Sequence, residues 1–181
     1  LMINLKKEIF ISYKKFGVIL FLLMSIYMRS GFAENRNEIK VGILLGFTGA
    51  VESVTPLMAE SVELAFDEIL KDEKLSKELN FNLQRADSTC SNITSAKETA
   101  TNIINDGVKF IIGAACPNVT FEVAKEITVP KKILMISPSD SSDELTKLKD
   151  NGFFFRTTPT KLRGSQILAD ITSDRGIRSV A

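Results

Sequence analysis

From residue 39 onward the sequence alternates between short apolar segments and longer segments whose apolar residues have helical spacing. Almost wholly apolar segments such as residues 110–112 are typical of strands that are buried on both faces of a sheet. Strands that alternate with helices of about 10–15 residues predict βαβ units, with parallel strands and a helical layer on each face. The sequence therefore predicts an α/β fold built on an open, doubly wound parallel sheet.

The limits of the predicted elements come from the apolar periodicity and from residues that cap or end helices. The predicted strands are residues 39–45, 81–86, 108–112, 133–136, 153–155 and 177–181. The predicted helices are residues 56–71, 92–105, 118–127 and 160–173.

The first 33 residues have a different character. Four lysines precede a mostly apolar run at residues 17–28, and small residues follow at positions 31 and 33. This order is typical of a secretory signal peptide. The run is shorter than the roughly 20 residues that span a bilayer as a helix, although a transmembrane anchor is the alternative. We expect cleavage after Ala33, no stable membrane insertion afterwards and a soluble periplasmic protein. No cysteine lies near the cut, which argues against a lipid anchor.

Removal of the signal segment changes what the remainder can bind. Residues 34–181 contain 18 basic and 21 acidic side chains, a net charge of −3, and no histidine, tyrosine or tryptophan. A weakly acidic chain gives no electrostatic reason to expect a nucleic acid or an anionic membrane as partner. Without histidine the commonest general base and metal ligand is missing. Nucleotide-binding, hydrolase and dithiol motifs are also absent, so we expect no enzyme, no cofactor and no metal site.

The two cysteines, Cys90 and Cys116, would be exported to an oxidising compartment. There a pair of cysteines predicts a disulfide, with two free buried thiols as the alternative. A zinc site is disfavoured because two cysteines without histidine cannot complete four ligands. A disulfide would close a loop of about 27 residues and contribute about 3 kcal/mol.

Ligands of open α/β sheets bind beyond the carboxyl ends of the strands, where the strand order reverses. This rule selects four loops that are rich in small and hydroxyl-bearing residues and that hold both cysteines. They are residues 46–55, 87–92, 114–120 and 137–143.

Two of these loops have groups that suit a zwitterion. Residues 116–120 open a helix, whose unpaired N–H groups and positive dipole end favour a carboxylate. The alternative is that Asn118 and Thr120 only cap the helix. Residues 137–143 carry hydroxyls and carbonyls that could hold an ammonium group, and an ordinary turn before Glu144 is the alternative.

Four segments together resemble a known family, the periplasmic branched-chain amino-acid binding proteins of the type I periplasmic-binding fold. The resemblance runs in order from residue 39 to residue 181, and the positions of both cysteines coincide with the disulfide of that family. The four segments are residues 39–45 with 48–49, residues 86–90, residues 105–113 leading to 116, and residues 133–138 followed by 144–146 and 155–158.

The resemblance implies two lobes that close over an amino acid. Residues 34–156 would form the first lobe, with the ligand carboxylate near residues 117–120 and its ammonium near Ser139 and Ser141. Residues 157–181 would be the hinge crossing and the start of an incomplete second lobe, which in the family supplies an acidic partner and aromatic walls. The candidate ligand-binding residues are Phe47, Thr48, Asn118, Val119, Thr120, Ser139, Asp140 and Ser141.

Three residues depart from the family pattern. Pro117 stands where a serine commonly follows the second cysteine, and it has neither hydroxyl nor N–H. Val54 aligns near the aromatic residue of the first loop. Asp140 lies in a stretch that is usually small and uncharged, and in the cleft it would favour a cationic group. The scaffold is therefore better specified than the ligand.

The resemblance implies an extracytoplasmic receptor that delivers a small zwitterion, most simply an amino acid, to an ABC permease in the inner membrane. The alternative is a ligand-sensing domain of the same fold in a regulator or membrane receptor, and an exported enzyme is the least supported. The chain starts with leucine and stops inside an apolar run. We therefore expect a fragment that is inactive alone.

Overall fold

The computed structural model describes residues 37–179, apart from the side chain of Asn37. The predicted signal segment and the cleavage site after Ala33 lie outside the described residues. Within residues 37–179, no helix is long and apolar enough to cross a membrane.

One wholly parallel sheet organises the described residues. Its strands are β1 (Asn37–Leu45), β2 (Leu79–Asp87), β3 (Phe110–Gly113), β4 (Leu134–Ser137) and β5 (Phe154–Arg156). Their spatial order is β2-β1-β3-β4-β5. The order reverses between β1 and β3, which confirms the predicted doubly wound sheet.

Five α-helices connect the strands or follow them. They are α1 (Thr55–Ile69), α2 (Glu73–Glu78), α3 (Ile93–Asn105), α4 (Pro117–Val123) and α5 (Lys161–Asp174). A π-helical turn, Ala124–Thr128, continues α4, and a 3₁₀ turn, Glu144–Lys147, precedes β5.

The two faces of the sheet have separate cores, because successive residues of a strand point to opposite faces. Ile43 of β1 packs with Ala59 of α1 on one face. Leu44 belongs to the larger core on the other face, together with Ala96 and Ala100 of α3 and residues of α4. Helices therefore lie on both faces, as the sequence predicted.

Two predicted helices differ from those observed. The helix predicted over residues 56–71 ends at Ile69, and α2 follows it unpredicted. Its signal is Asp72, whose carboxylate accepts hydrogen bonds from the N–H groups of Lys74 and Leu75 at 2.8 and 3.1 Å. This is the contact of an ordinary helix cap. The helix predicted over residues 118–127 keeps α-helical bonding only to Val123, after which it widens into the π turn.

The last predicted strand, residues 177–181, is wrong over residues 177–179, which are irregular, and its last two residues lie outside the description. An apolar run becomes a strand only when its backbone groups pair with a neighbouring strand. Residues 177–179 belong to no strand of the described sheet.

Candidate functional site

The four loops selected from the sequence follow β1, β2, β3 and β4. Because these strands are parallel, the loops meet at one edge of the sheet. The point where the strand order reverses lies between β1 and β3. Open α/β sheets bind ligands at this place, so the edge above β1 and β3 is the candidate site.

The disulfide forms the rim of this site. Cys90 and Cys116 are bonded, which confirms the prediction, and their Cα atoms are 5.6 Å apart. They follow β2 and β3, and β1 lies between those strands. Strands two places apart are separated by about 10 Å, so the two loops converge above the end of β1. Gly46 makes this possible, since a Cβ atom there would lie 2.9 Å from the Cys90 sulfur.

Asp87, at the end of β2, fixes the loop that follows β1. Its carboxylate accepts hydrogen bonds from the N–H of Phe47 at 2.9 Å, the N–H of Thr89 at 2.8 Å and the hydroxyl of Thr48 at 2.5 Å. Partial burial acts to raise the pKa of Asp87, but these hydrogen bonds outweigh it and lower the pKa. The carboxylate therefore stays ionised and holds the loop.

The same contacts define what Phe47 and Thr48 offer a ligand. The ring of Phe47 packs against the core on the α1 side, with the guanidinium of Arg85 5.8 Å from its centroid. The hydroxyl of Thr48 is exposed but donates its hydrogen to Asp87. Its oxygen lone pairs remain able to accept.

The start of α4 presents backbone N–H groups. Pro117 is its first residue and the N–H of Thr120 makes the first helical bond, to the carbonyl of Cys116 at 2.8 Å. Between them, the N–H groups of Asn118 and Val119 have no hydrogen-bond partner among the described residues, as is usual for a first helical turn. These two groups lie beside the disulfide rim.

Two side chains of this turn point into the protein and are not available to a ligand. Val119 and Thr120 are fully buried. The Thr120 hydroxyl donates to the carbonyls of Ala114 and Cys116 at 3.0 and 2.9 Å. A ligand contact at this turn would therefore come from backbone N–H groups and from Asn118, which is exposed.

The loop after β4 separates its three predicted ligand residues. Ser139 is exposed and donates to the carbonyl of Ala115 at 3.3 Å, whereas Ser141 is half-buried. Asp140 is only 1% exposed, so its side chain does not face an open cleft in this lobe. One of its carboxylate oxygens accepts from the N–H of Ser142 at 2.9 Å, and the other is buried without a partner among the described residues. The loop therefore buries this side chain, while Ser139 stays exposed and Ser141 half-buried.

The segment that leads from β5 to α5 is hydrogen-bonded along this loop. Thr157 donates to the carbonyl of Pro138 and Thr158 to the carbonyl of Asp140, each at 2.9 Å. The N–H of Lys161 donates to the carbonyl of Ser141, also at 2.9 Å. Three of the carbonyls that the sequence left free for an ammonium group, those of Pro138, Asp140 and Ser141, therefore each accept one hydrogen bond already.

Sequence reasoning missed two residues that position the site. Asp87 holds the first loop, and Arg156 holds the last through the carbonyl of Ser142 at 2.6 Å and the hydroxyl of Thr146 at 2.5 Å. A signal for Asp87 was present, since it is an acid at the end of a strand beside a glycine-rich loop. No local pattern points to Arg156, because its partners are 10 and 14 residues away. Among residues 37–179, no cluster of histidine, cysteine and acidic side chains could hold a metal ion.

The chain is similar to several known proteins. A curated relative is the leucine-, isoleucine-, valine-, threonine- and alanine-binding protein of Pseudomonas aeruginosa, 27% identical over 140 residues. The match covers 76% of this chain and 36% of the relative. The chain therefore spans little more than a third of that protein.

Solved structures share the fold. An ABC transporter substrate-binding protein of Desulfitobacterium hafniense, in complex with Leu, matches with a TM-score of 0.65 and 24% identity, over 77% of this chain and 40% of that one. A solute-binding protein of an ABC transporter of Rhodopseudomonas palustris, in complex with 3,4-dihydroxybenzoic acid, matches with a TM-score of 0.60 and 21% identity. That match covers 78% of this chain and 37% of the other.

The sequence profile of one family matches residues 57–181, which include most of α1, four of the five strands and most of the candidate site. Its match extends over more than half of the chain. The chain therefore belongs to the family described as the receptor family ligand binding region.

Proposed function

We propose that this chain is the first lobe of an extracytoplasmic solute-binding receptor, which delivers a small carboxylate-bearing ligand to an ABC permease of the inner membrane. The ligand is most simply an amino acid. The observation that carries the proposal is a pair of N–H groups, of Asn118 and Val119, that have no partner within residues 37–179 and lie beside the disulfide rim where the strand order reverses. The named ligands of the relatives, Leu and a hydroxybenzoic acid, both carry a carboxylate.

The carboxylate end of the ligand is the better supported. Two N–H groups in a first helical turn can each donate to a carboxylate oxygen, and the helix dipole favours its negative charge. Pro117 removes one donor from this turn but none from Asn118 or Val119. The side chains of Val119 and Thr120 are buried in the protein and hold this turn in place. This lobe would thus hold the acid group in a preformed cradle.

The ammonium end of an amino acid would have fewer partners in this lobe. The carbonyls of Pro138, Asp140 and Ser141 already accept hydrogen bonds from the crossing segment. Ser139 and Ser141, whose side chains are not buried, remain as ligand contacts. Selectivity for the ammonium group would therefore depend mainly on a second lobe, as in the family that the sequence resembles.

Ligand binding would act by hinge closure. A ligand that bridges two lobes binds the closed state more tightly and so shifts the open–closed equilibrium. Residues 157–160, between β5 and α5, would be part of the hinge. A chain with only the first lobe would bind any such ligand weakly, because half of the contacts are missing.

A second candidate is a receptor for aromatic acids on the same site. The hydroxybenzoic acid complex of the Rhodopseudomonas palustris protein favours it, because that ligand has a carboxylate and no ammonium group. The hydrogen bonds that the carbonyls of Pro138, Asp140 and Ser141 already accept point the same way, because they leave fewer acceptor positions for an ammonium group.

A ligand-sensing domain of the same fold would bind its ligand at the same site, but binding would serve signalling in place of transport.

A thermal-shift experiment on the protein made from its complete reading frame tests these proposals. The probes are L-leucine, its analogue without the ammonium group (4-methylpentanoate), its analogue without the carboxylate (isoamylamine), and 3,4-dihydroxybenzoate. We expect L-leucine or the aromatic acid to raise the melting temperature, 4-methylpentanoate to raise it less, and isoamylamine to have no effect. A ligand at 100 times its Kd should add about 2.7 kcal/mol.

Each outcome separates the candidates. A shift with 3,4-dihydroxybenzoate but not with L-leucine would replace the amino acid by an aromatic acid. A shift with isoamylamine equal to that with L-leucine would contradict the carboxylate cradle. If none of the four compounds raised the melting temperature, the proposal would fail for both candidate ligands.

A further inference from the structure

The loops after β3 and β4 each carry one half of the candidate site. β3 and β4 are neighbours in the sheet, so the two loops start side by side. The loop after β3 leads to the N–H groups proposed for the ligand carboxylate. The loop after β4 holds Ser139 and Ser141, which are proposed for an ammonium group. The spacing between the loops therefore decides whether one ligand can reach both.

The carbonyl oxygen of Ala114 is the point where buried groups of the two loops meet. It accepts a hydrogen bond from the hydroxyl of Ser137, at the end of β4, at 2.7 Å. It also accepts one from the hydroxyl of Thr120, in α4, at 3.0 Å. All three residues are fully buried. A carbonyl oxygen has two lone pairs, so these two bonds use its whole capacity.

A second contact fixes the direction of the Ser137 hydroxyl. Its oxygen accepts a hydrogen bond from the N–H of Asp140 at 3.2 Å, inside the loop after β4. An N–H cannot accept and a carbonyl cannot donate, so the hydroxyl hydrogen must point to Ala114. One buried side chain thus holds the first loop with its hydrogen and the second loop with its oxygen.

Another hydrogen bond between the same loops is longer and open to water. The hydroxyl of Ser139 donates to the carbonyl of Ala115 at 3.3 Å, and Ser139 is exposed. An exposed polar group can replace a lost partner with water, whereas a buried N–H that loses its partner keeps the full cost of desolvation. Ser137 is therefore the stronger link between the two loops.

We propose that Ser137 is a positioning residue, which fixes the spacing between the carboxylate and ammonium ends of the candidate site. This inference rests on the proposed function, in which the turn at the start of α4 holds the acid group. Ser137 is buried and acts through Ala114, whose carbonyl also binds Thr120 of α4. A ligand that bridges the two loops depends on this spacing, and a ligand that contacts only the first loop does not.

Amide hydrogen exchange without ligand, in the protein made from its complete reading frame, tests the link itself. Ser137→Ala removes the hydroxyl and adds no atom. The N–H of Thr120 donates to the carbonyl of Cys116 and not to Ser137, yet it should exchange about fivefold faster or more. Thr120→Val removes the other hydroxyl at Ala114 and should speed exchange at Asp140 by a similar factor, because a coupling free energy acts equally in both directions.

Thr128→Val is the matched control. The hydroxyl of Thr128 is also fully buried, and it bonds to the carbonyl of Ala124 and the sulfur of Met135, both at 3.5 Å. Exchange rates are divided by those of β1 core amides, which report global unfolding. On this scale Thr128→Val should leave exchange at Thr120 unchanged. No change at Thr120 in Ser137→Ala, or an equal rise in the control, would overturn the proposal.

Calorimetric titration then distinguishes positioning from general stability. L-leucine would bridge both loops, whereas 4-methylpentanoate, which lacks the ammonium group, would contact only the first. In Ser137→Ala the Kd for L-leucine should rise about fivefold or more, and the Kd for 4-methylpentanoate by a smaller factor. The ratio of the two Kd values should stay at its wild-type level in Thr128→Val.

The outcomes separate this proposal from the proposed function. Equal rises in both Kd values in Ser137→Ala would overturn the positioning role, because loss of stability alone weakens both ligands alike. A wild type that bound neither compound, with faster exchange at Thr120 in Ser137→Ala, would overturn the amino-acid ligand and support the link between the loops.

Discussion

Gly46 and Gly113 show how closely the backbone packs at the candidate site. A Cβ atom at Gly46 would lie 2.9 Å from the Cys90 sulfur and 3.0 Å from Val51. At Gly113 it would lie 1.9 Å from the carbonyl oxygen of Leu44, and the backbone there has a φ of +143°. Contacts this short do not occur for real side chains, so both positions require glycine.

We therefore predict that Gly46→Ala destabilises the protein by about 1–3 kcal/mol, the cost of forcing extra atoms into a packed region. Gly164→Ala is the matched control, because a Cβ there meets nothing within 4 Å and the position is helical. It should be neutral or stabilising by up to about 1 kcal/mol. Urea unfolding of both variants is the measurement, and equal effects would contradict the close contact at Gly46.

Asp87 should make stability depend on pH. Its pKa is lowered in the folded protein, because hydrogen bonds to the carboxylate outweigh partial burial. The ionised form therefore stabilises the fold above the ordinary value of 3.8, and this contribution is lost as the pH falls through the lowered pKa. Asp87→Asn should cost about 1–2 kcal/mol at neutral pH. The difference in free energy of unfolding between wild type and Asp87→Asn should become smaller in acid, as Asp87 becomes protonated in the wild type.

Urea unfolding of wild type and Asp87→Asn between neutral pH and pH 2 measures this effect. The exposed Asp67 of α1 provides the control, since Asp67→Asn should change stability little at any pH. A gap between wild type and Asp87→Asn that stayed constant down to the lowest pH would contradict the assigned role of the carboxylate.

At the scale of elements, the crossing segment and the loop after β4 behave as one unit. Thr157, Thr158 and Lys161 each donate to a carbonyl of that loop, and Arg156 adds a bond to the carbonyl of Ser142. Movement of the crossing segment would therefore move the loop that carries Ser139 and Ser141. Any hinge motion that includes this segment is coupled to the candidate site through these bonds.

Replacing both threonines by valine, Thr157→Val with Thr158→Val, should separate the two segments. We expect the free energy of unfolding to fall by about 1–3 kcal/mol, because two hydrogen bonds are lost and one of their acceptors is the carbonyl of the buried residue Asp140. The amide of Lys161 should also exchange with solvent faster. Thr172→Val, which removes a hydroxyl bonded only within α5, is the control. Unchanged exchange at Lys161 in the double variant would show that the hydroxyls do not hold the crossing.

At the scale of the whole molecule, the disulfide joins the two halves of the doubly wound sheet. Cys90 belongs to the β2 side of the reversal and Cys116 to the β3 side, 26 residues later. The bond crosses the end of β1, the strand that both sides share. The bond therefore holds the two loops at the rim of the candidate site in the folded protein. It also reduces the number of conformations that the unfolded chain can adopt.

The variant with Cys90→Ser and Cys116→Ser should lose about 3 kcal/mol of stability, the value for closing a loop of this length. Wild type measured with a reductant should lose the same amount, and the reductant should not affect the variant. Thermal unfolding with and without dithiothreitol makes the comparison. A variant as stable as oxidised wild type would contradict a structural role for the bond.

Much of the fold could be predicted from local sequence, because strand and helix periodicities are properties of short segments. The elements over residues 92–105 and 133–136 differ by about one residue from α3 and β4. Predictions were wrong where an element depends on a partner elsewhere in the chain. A strand was predicted over residues 177–181, but its described part, residues 177–179, has no neighbouring strand to pair with in the described sheet.

The sequence by itself determined the doubly wound sheet, the four loops at one edge and the disulfide, since each follows from periodicity, chain order or residue type. Only the tertiary structure decided which atoms at that edge are available. It turned Asp140 inward, buried Thr120 and occupied the carbonyls of the loop after β4. The physical reason is that hydrogen-bond partners at this edge, such as Thr158 for Asp140, lie many residues away. Their approach depends on the packing of the whole sheet.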